Sequence, residues 1–211
     1  MRAIGIKEFL EREFDVYPFS GKYFDSFGEP EKNANIIIFG KPGNGKTEFC
    51  VQLSKYLSNW TRVYYNTFEQ GISKSLQDSL KRNNMMEVNG KVIFGNRESV
   101  DEMTERLAKR NSPGVVVIDS RDYMRLTTEQ YKKLVDHFPR KMFIIVCWES
   151  AGKPKSQYAK DIEFMCDIKI HVRDFVAHPR SRFGGNKPFE IWEGRRKIVR
   201  LDLFNQQNNI L

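Results

Sequence analysis

The sequence predicts an α/β fold with a mostly parallel central sheet, flanked by helices and finished by antiparallel strands at its C-terminal edge. Three observations predict it. From residue 36 to residue 147, short β-branched or aromatic runs alternate with stretches of helical period, the signature of consecutive βαβ units. The run Val115-Val116-Val117-Ile118 is apolar without alternation and is closed by Asp119, as in a parallel strand covered on both faces. After residue 166 the pattern changes to single alternation, in Cys166, Ile168, Ile170 and Val172 and again in Phe189 and Ile191, which suits half-covered antiparallel strands.

In chain order, residues 1–33 read as an N-terminal helix and lead-in. Ile6, Phe9, Leu10 and Phe14 recur at helical spacing, and Tyr17-Pro18-Phe19-Ser20-Gly21 breaks the helix. Residues 34–204 form the core and 205–211 an amide-rich flexible tail. The 211 residues need one domain only, and no repeat or linker divides them.

The core opens with Ile36, Ile37, Ile38 and Phe39, a strand that runs into Gly40-Lys41-Pro42-Gly43-Asn44-Gly45-Lys46-Thr47. An amphipathic helix follows at once, with Phe49, Cys50, Leu53 and Leu57 on its buried face and Trp60 closing the packing. This is G-x-x-x-x-G-K-T between a strand and a helix, the context in which the motif cradles phosphate. Glycines let successive N–H groups turn inward, and the helix adds its positive end. Lys46 reaches the β- and γ-phosphates, and Thr47 takes a place on Mg²⁺. The expected nucleotide-binding set is Gly40, Lys41, Pro42, Gly43, Asn44, Gly45, Lys46, Thr47 and, in the first helical turn, Glu48.

Arg62-Val63-Tyr64-Tyr65-Asn66-Thr67 is the second strand, followed by Phe68 and Glu69 and then by a helix through Ile72, Leu76 and Leu80. Val92-Ile93-Phe94 is the third strand. Ser99 with Glu102 and Thr127 with Gln130 have capping-box form ahead of the next two helices. Asp119 closes the fourth strand in the manner of a Walker B acid, holding Mg²⁺ through water or binding the Thr47 hydroxyl. Its neighbour is Ser120, so no second acid stands beside it, which argues against an AAA+ assignment. Glu69 lies just past the carboxyl end of a parallel strand, where ligand crevices form, and can face a γ-phosphate and orient water.

Met142 to Cys147 is the fifth strand. Residues 149–161 are polar and lysine-rich and read as an exposed loop leading into a short helix through Tyr158, Ile162 and Met165. Lys153, Lys155 and Lys160 are candidates for phosphates of single-stranded DNA, with Tyr158 or Trp148 as stacking surfaces. Glu193-Gly194-Arg195 reads as a turn before a last strand at Val199, Leu201 and Leu203.

Lys and Arg number 35 against 27 Asp and Glu, a net charge of +8 that permits a polyanionic partner without requiring one. The three cysteines, Cys50, Cys147 and Cys166, have no ligand spacing and read as small buried residues in a reducing compartment. Acids interrupt the N-terminus where a signal peptide would be apolar, and no run has membrane-spanning length, so the expectation is a cytoplasmic protein with no membrane partner.

The chain resembles the RecA-like P-loop ATPases, nearest to the branch that includes RadA (Sms), KaiC and the DnaB-type motor core. Residues 35–203 carry the resemblance, in the segments GKPGNGKT, YYNTFEQ, VVVIDS, FIIVCWES and RSRFGG. It also resembles, more faintly, small AAA family ATPases carried by phages and mobile elements. The resemblance implies a RecA-like fold, ATP and Mg²⁺ as nucleotide and metal, and Glu69 as the catalytic glutamate. RadA-like proteins carry Lys-Asn-Arg-Phe-Gly where this chain has Arg180-Ser181-Arg182-Phe183-Gly184, which implies Arg180 and Arg182 as catalytic groups reaching a neighbouring subunit's nucleotide. Where the family often places a polar sensor after the fifth strand, this chain has Trp148 and Glu149.

Two functions from different classes follow. The first is an ATP hydrolase acting as a homo-oligomer on single- or double-stranded DNA, in recombination, repair or replication, with a replication or recombination protein as a further partner. The second is an ATP-gated switch or loader whose main partner is a protein. A small-molecule kinase fits less well, because the sequence has neither an Arg-rich lid nor a motif for an acceptor pocket.

Overall fold

The structure is a computed structural model that describes residues 3–195. Five parallel strands form its centre: β1 (Ile36–Gly40), β2 (Val63–Thr67), β3 (Val92–Asn96), β4 (Val115–Asp119) and β5 (Met142–Ser150). Among the described residues four more follow, β6 (Lys153–Pro154), β7 (Ile168–Arg173), β8 (Val176–Ser181) and β9 (Phe189–Glu190). The sheet order is β3-β2-β4-β5-β1-β7-β8-β9, with β6 paired to β5 beside this path.

Residue alternation along the strands sends side chains to two apolar layers, one on each face. Ile36 and Ile38, Val115 and Val117, and Ile144 and Val146 enter one layer with the helix that follows β1. Ile37, Val116, Ile118, Phe143 and Ile145 enter the other. Continuous apolar runs are what a sheet covered on both faces demands. Full burial of one such isoleucine stabilises the fold by about 1.5–3 kcal/mol.

The helices are α1 (Ile6–Leu10), α2 (Gly21–Phe27), α3 (Lys46–Leu57), α4 (Lys74–Arg82), α5 (Val100–Ala108), α6 (Arg121–Met124), α7 (Thr128–His137) and α8 (Gln157–Met165). Both expected capping boxes are formed, Ser99 with Glu102 and Thr127 with Gln130. The expected antiparallel edge is present in β8 and β9.

Several local expectations are corrected. The first helix is five residues long and buries none of its apolar side chains, Ile6 being 82 % exposed. The lead-in holds a second helix, α2, and from Tyr17 onward it belongs to the core: Tyr17, Phe19, Tyr23 and Phe27 are buried, and Tyr23 stacks on Tyr56 of α3 at 3.7 Å. Ile72 lies ahead of α4 and is exposed. β7 runs parallel to β1, not antiparallel, because α8 carries the chain back across the sheet before it. Its partner β8 has only Val176 and Ala177 as an apolar signal. The residues expected as a hairpin turn, 193–195, are helical, and Val199, Leu201 and Leu203 lie outside the described residues.

Candidate functional site

The carboxyl end of β1 and the start of α3 are joined by residues 41–45. Glycine is required at both ends of this loop. A Cβ on Gly40 would lie 2.2 Å from the Val172 carbonyl oxygen of β7, and Gly45, at φ +97°, would bring one to 2.8 Å from Cδ1 of Phe175. Phe175 and Asp174 form the tight β7–β8 turn, both at positive φ, and the Phe175 N–H donates to the Asn44 carbonyl at 3.2 Å. A bulky residue in that region is strained. Here the strained residue braces the loop from below.

Lys46 is 9 % exposed, and its Nζ donates to the carbonyls of Gly40 at 2.8 Å and Lys41 at 3.0 Å. Its charge is therefore aimed into the loop's own concavity. Next to it, Thr47 Oγ1 donates to Asp119 Oδ2 at 3.0 Å, and the Tyr65 hydroxyl donates to the same oxygen at 2.6 Å. Asp119 is 4 % exposed. Burial pushes its carboxyl above the ordinary carboxylate range; the Tyr65 and Thr47 hydroxyls pull it down, the Glu69 charge pushes it up, and Lys46 pulls it down.

Glu69 stands beside this cluster. The N–H groups of Phe68 and Glu69 both donate to the Asp119 carbonyl, the latter at 3.0 Å, which hooks the end of β2 to the end of β4. Lys46, Thr47, Glu69 and Asp119, distant in sequence, are thus gathered at one end of adjacent strands β2, β4, β5 and β1.

Glu48 points elsewhere. Its carboxylate accepts from Ser79 Oγ at 2.7 Å, Asn83 Nδ2 at 2.6 Å and Arg82 at 2.8 Å, tying α3 to α4. That side chain is occupied in holding two helices together, and only its backbone adjoins the loop.

Arg180 lies within β8, not on a turn, opposite Lys169. Arg182 follows the strand and pairs with Asp167 at 3.3 Å, and the Asp167 N–H donates to the Asn35 carbonyl just ahead of β1. Both arginines therefore sit toward the opposite end of β1 from Gly40. The lysines separate as well. Lys153 and Lys160 line one cleft, whereas Lys155 Nζ lies 5.3 Å from the centre of the Trp148 ring.

After β5, the Trp148 N–H donates to Asp122 Oδ2 at 2.7 Å. Glu149 accepts from the Gly152 N–H at 2.8 Å and approaches His171 Nε2 at 3.3 Å. Burial raises the Glu149 carboxyl, but Gly152, His171 and Lys41 together hold it below its ordinary value. Tyr65, Phe175 and His171 were not singled out by sequence reasoning. Their roles depend on which strands are neighbours, and no local pattern carries that information.

The same architecture is found among solved structures. A KaiC-like protein of the hyperthermophilic archaeon Pyrococcus horikoshii superimposes with a TM-score of 0.55 at 18 % identity, over 76 % of this chain and 86 % of that one. The ATPase domain of G40P does so with a TM-score of 0.55 at 15 % identity, over 78 % of this chain and 83 % of that domain. No protein-family model and no curated protein sequence matches the chain. The fold is the RecA-like P-loop fold.

Proposed function

We propose that this RecA-like chain binds ATP with Mg²⁺ at residues 40–48 and hydrolyses it. The observation that carries the reading is the convergence on Asp119: Thr47, the residue after Lys46, donates to its carboxylate and the Glu69 N–H to its carbonyl. The residues fit a triphosphate and a hard cation. Lys46 exchanges its two loop carbonyls for the β- and γ-phosphates, and the inward N–H groups of the loop take phosphate oxygens. Thr47 and Asp119 would supply the oxygen ligands that Mg²⁺ prefers, and the ion, when bound, would neutralise phosphate charge. Glu69 orients a water and accepts its proton. The water oxygen bonds to the γ-phosphorus, the bond to the bridging oxygen breaks, and ADP leaves with the electron pair.

On the same reading the chain acts on DNA as a homo-oligomer. The net positive charge and the lysines after β5 support a nucleic-acid partner. The distance in the fold between Arg180, Arg182 and their own chain's loop supports a neighbour-to-neighbour role for them. Among the described residues no helix is long and apolar enough to cross a membrane.

Phosphate release, followed against Mg²⁺ and with or without single-stranded DNA, tests the reading. The expected result is Mg²⁺-dependent turnover that rises with DNA, and a Glu69→Gln variant that binds nucleotide but turns over about two to four orders of magnitude more slowly. Wild-type turnover in Glu69→Gln overturns the assignment of Glu69, and turnover indifferent to DNA overturns the DNA role.

A further inference from the structure

Away from the nucleotide loop, α8, β6, β7 and β8 enclose a cleft of about 450 Å³. Lys153, Lys160, Lys169 and Arg180 line it together with His171 and His178. Among the described residues, none of the four fixed cations has a carboxylate within ion-pair distance. Among the described residues, the acids facing the cleft are few. Glu163 lines its wall, and Glu149 is held behind it by His171 and the Gly152 N–H.

The register of the β7–β8 hairpin adds to this. Lys169 stands directly opposite Arg180, and His171 directly opposite His178, so both pairs project from the same face of the sheet. Like charges opposed across strands are destabilising. One such pair with two further lysines in front of it makes a strong positive potential in a concave, partly apolar wall, where field lines concentrate. Phe39 stacks on His171 at 5.1 Å, so the cleft abuts β1 one residue before the nucleotide loop begins.

We propose that this cleft is a second phosphate site, separate from the nucleotide loop, that takes consecutive phosphates of a single nucleic-acid strand or of a free polyphosphate chain. The nucleic-acid source rests on the DNA reading above; the polyphosphate source does not. Lys153 and Lys160 approach from one wall and Lys169 and Arg180 from the other, so a chain of phosphates threads between them. Lys155 takes no part.

The test uses Lys160→Gln with Lys169→Gln, which leaves Arg180 intact for any role across a subunit boundary. Binding of a labelled oligothymidylate is measured by anisotropy over a salt series, and binding of tripolyphosphate by calorimetry as the difference between wild type and variant. Expected is a loss of about tenfold or more in affinity for the strand, with a log–log salt slope flatter by about 1.4, for two lost contacts at roughly 0.7 each. Weaker tripolyphosphate binding in the variant, with a wild type indifferent to the strand, assigns the cleft to free polyphosphate and defeats the DNA reading alone. A folded variant that binds both probes as wild type does overturns the cleft even if the protein binds DNA, and so does a wild type that binds neither probe. If the double variant fails to fold, each single Lys→Gln variant is expected to give half of the slope change, and no change in either overturns the proposal.

Discussion

The hydroxyl of Tyr65 donates to Oδ2 of Asp119 across 2.6 Å, from one buried strand to the next. It joins the Thr47 hydroxyl on the same oxygen, so the acid expected to face Mg²⁺ is oriented by two donors. Both partners lie in the dry interior of the sheet, where a hydrogen bond to a charged group contributes about 1.5–3 kcal/mol. Removing the donor therefore weakens the carboxylate form specifically.

Tyr65→Phe is expected to raise the Mg²⁺ concentration for half-maximal turnover by about tenfold, the equivalent of roughly 1.4 kcal/mol. Its pH dependence has a defined sign. Burial already pushes the Asp119 carboxyl up and Tyr65 pulls it down, so losing Tyr65 moves it further up. The acid limb of the pH–rate profile then shifts to higher pH. A Mg²⁺ titration and a pH series coincident with wild type would show that Tyr65 is packing only.

Asp119→Asn trades stability against activity. The folded-state carboxyl is raised by burial, so the folded protein keeps this proton at a pH where the unfolded chain, near 3.9, has released it. Its favourable contribution is present below the unfolded value and is lost as pH rises through the folded value. At neutral pH the ionised group is a cost. The amide keeps an oxygen for Tyr65 and Thr47, and the variant is expected to melt about 2–4 °C higher at pH 7, with the gap closing toward pH 3, while Mg²⁺-dependent turnover is lost. A lower melting temperature at pH 7 would show that the charge is fully compensated.

Glu48→Gln separates two roles for one residue. The carboxylate accepts three hydrogen bonds from α4 and the residue after it, and an amide NH₂ placed among those donors leaves one of them unpaired. The expected loss is about 1–3 kcal/mol of stability, with nucleotide affinity within twofold of wild type. A large loss of nucleotide affinity at unchanged melting temperature would put the side chain on the nucleotide.

Arg180 and Arg182 are proposed to act on a neighbouring subunit's nucleotide. A finger supplied in this way is worth about three to five orders of magnitude in rate. Lys46→Ala and the Arg180→Ala, Arg182→Ala double variant are each expected to be inactive alone, and mixing them should restore part of the activity, since some interfaces pair an intact loop with intact arginines. Co-assembly by light scattering with no recovery would show that the arginines act within their own chain or not at all.

What the sequence determined by itself is what depends on near neighbours. The loop from Gly40 to Thr47, the isoleucines ahead of it, the helix beyond it and the capping boxes at Ser99 and Thr127 are set by spacings of a few residues, because backbone conformation and helix ends respond to adjacent side chains. Asp119 was legible for a similar reason, as an acid closing a run that only a doubly covered strand explains. Strand order is another matter, since it is chosen by how whole layers pack. Only the folded chain brings Tyr65 to Asp119, commits Glu48 to α4, turns β7 parallel to β1, and lays Phe175 under Gly45. The same packing sets Lys169 and Arg180, eleven residues apart on two strands, side by side facing Lys160. Each of these relations joins segments whose sequences carry no mark of each other, and each depends on the strand order that buries both faces of the sheet.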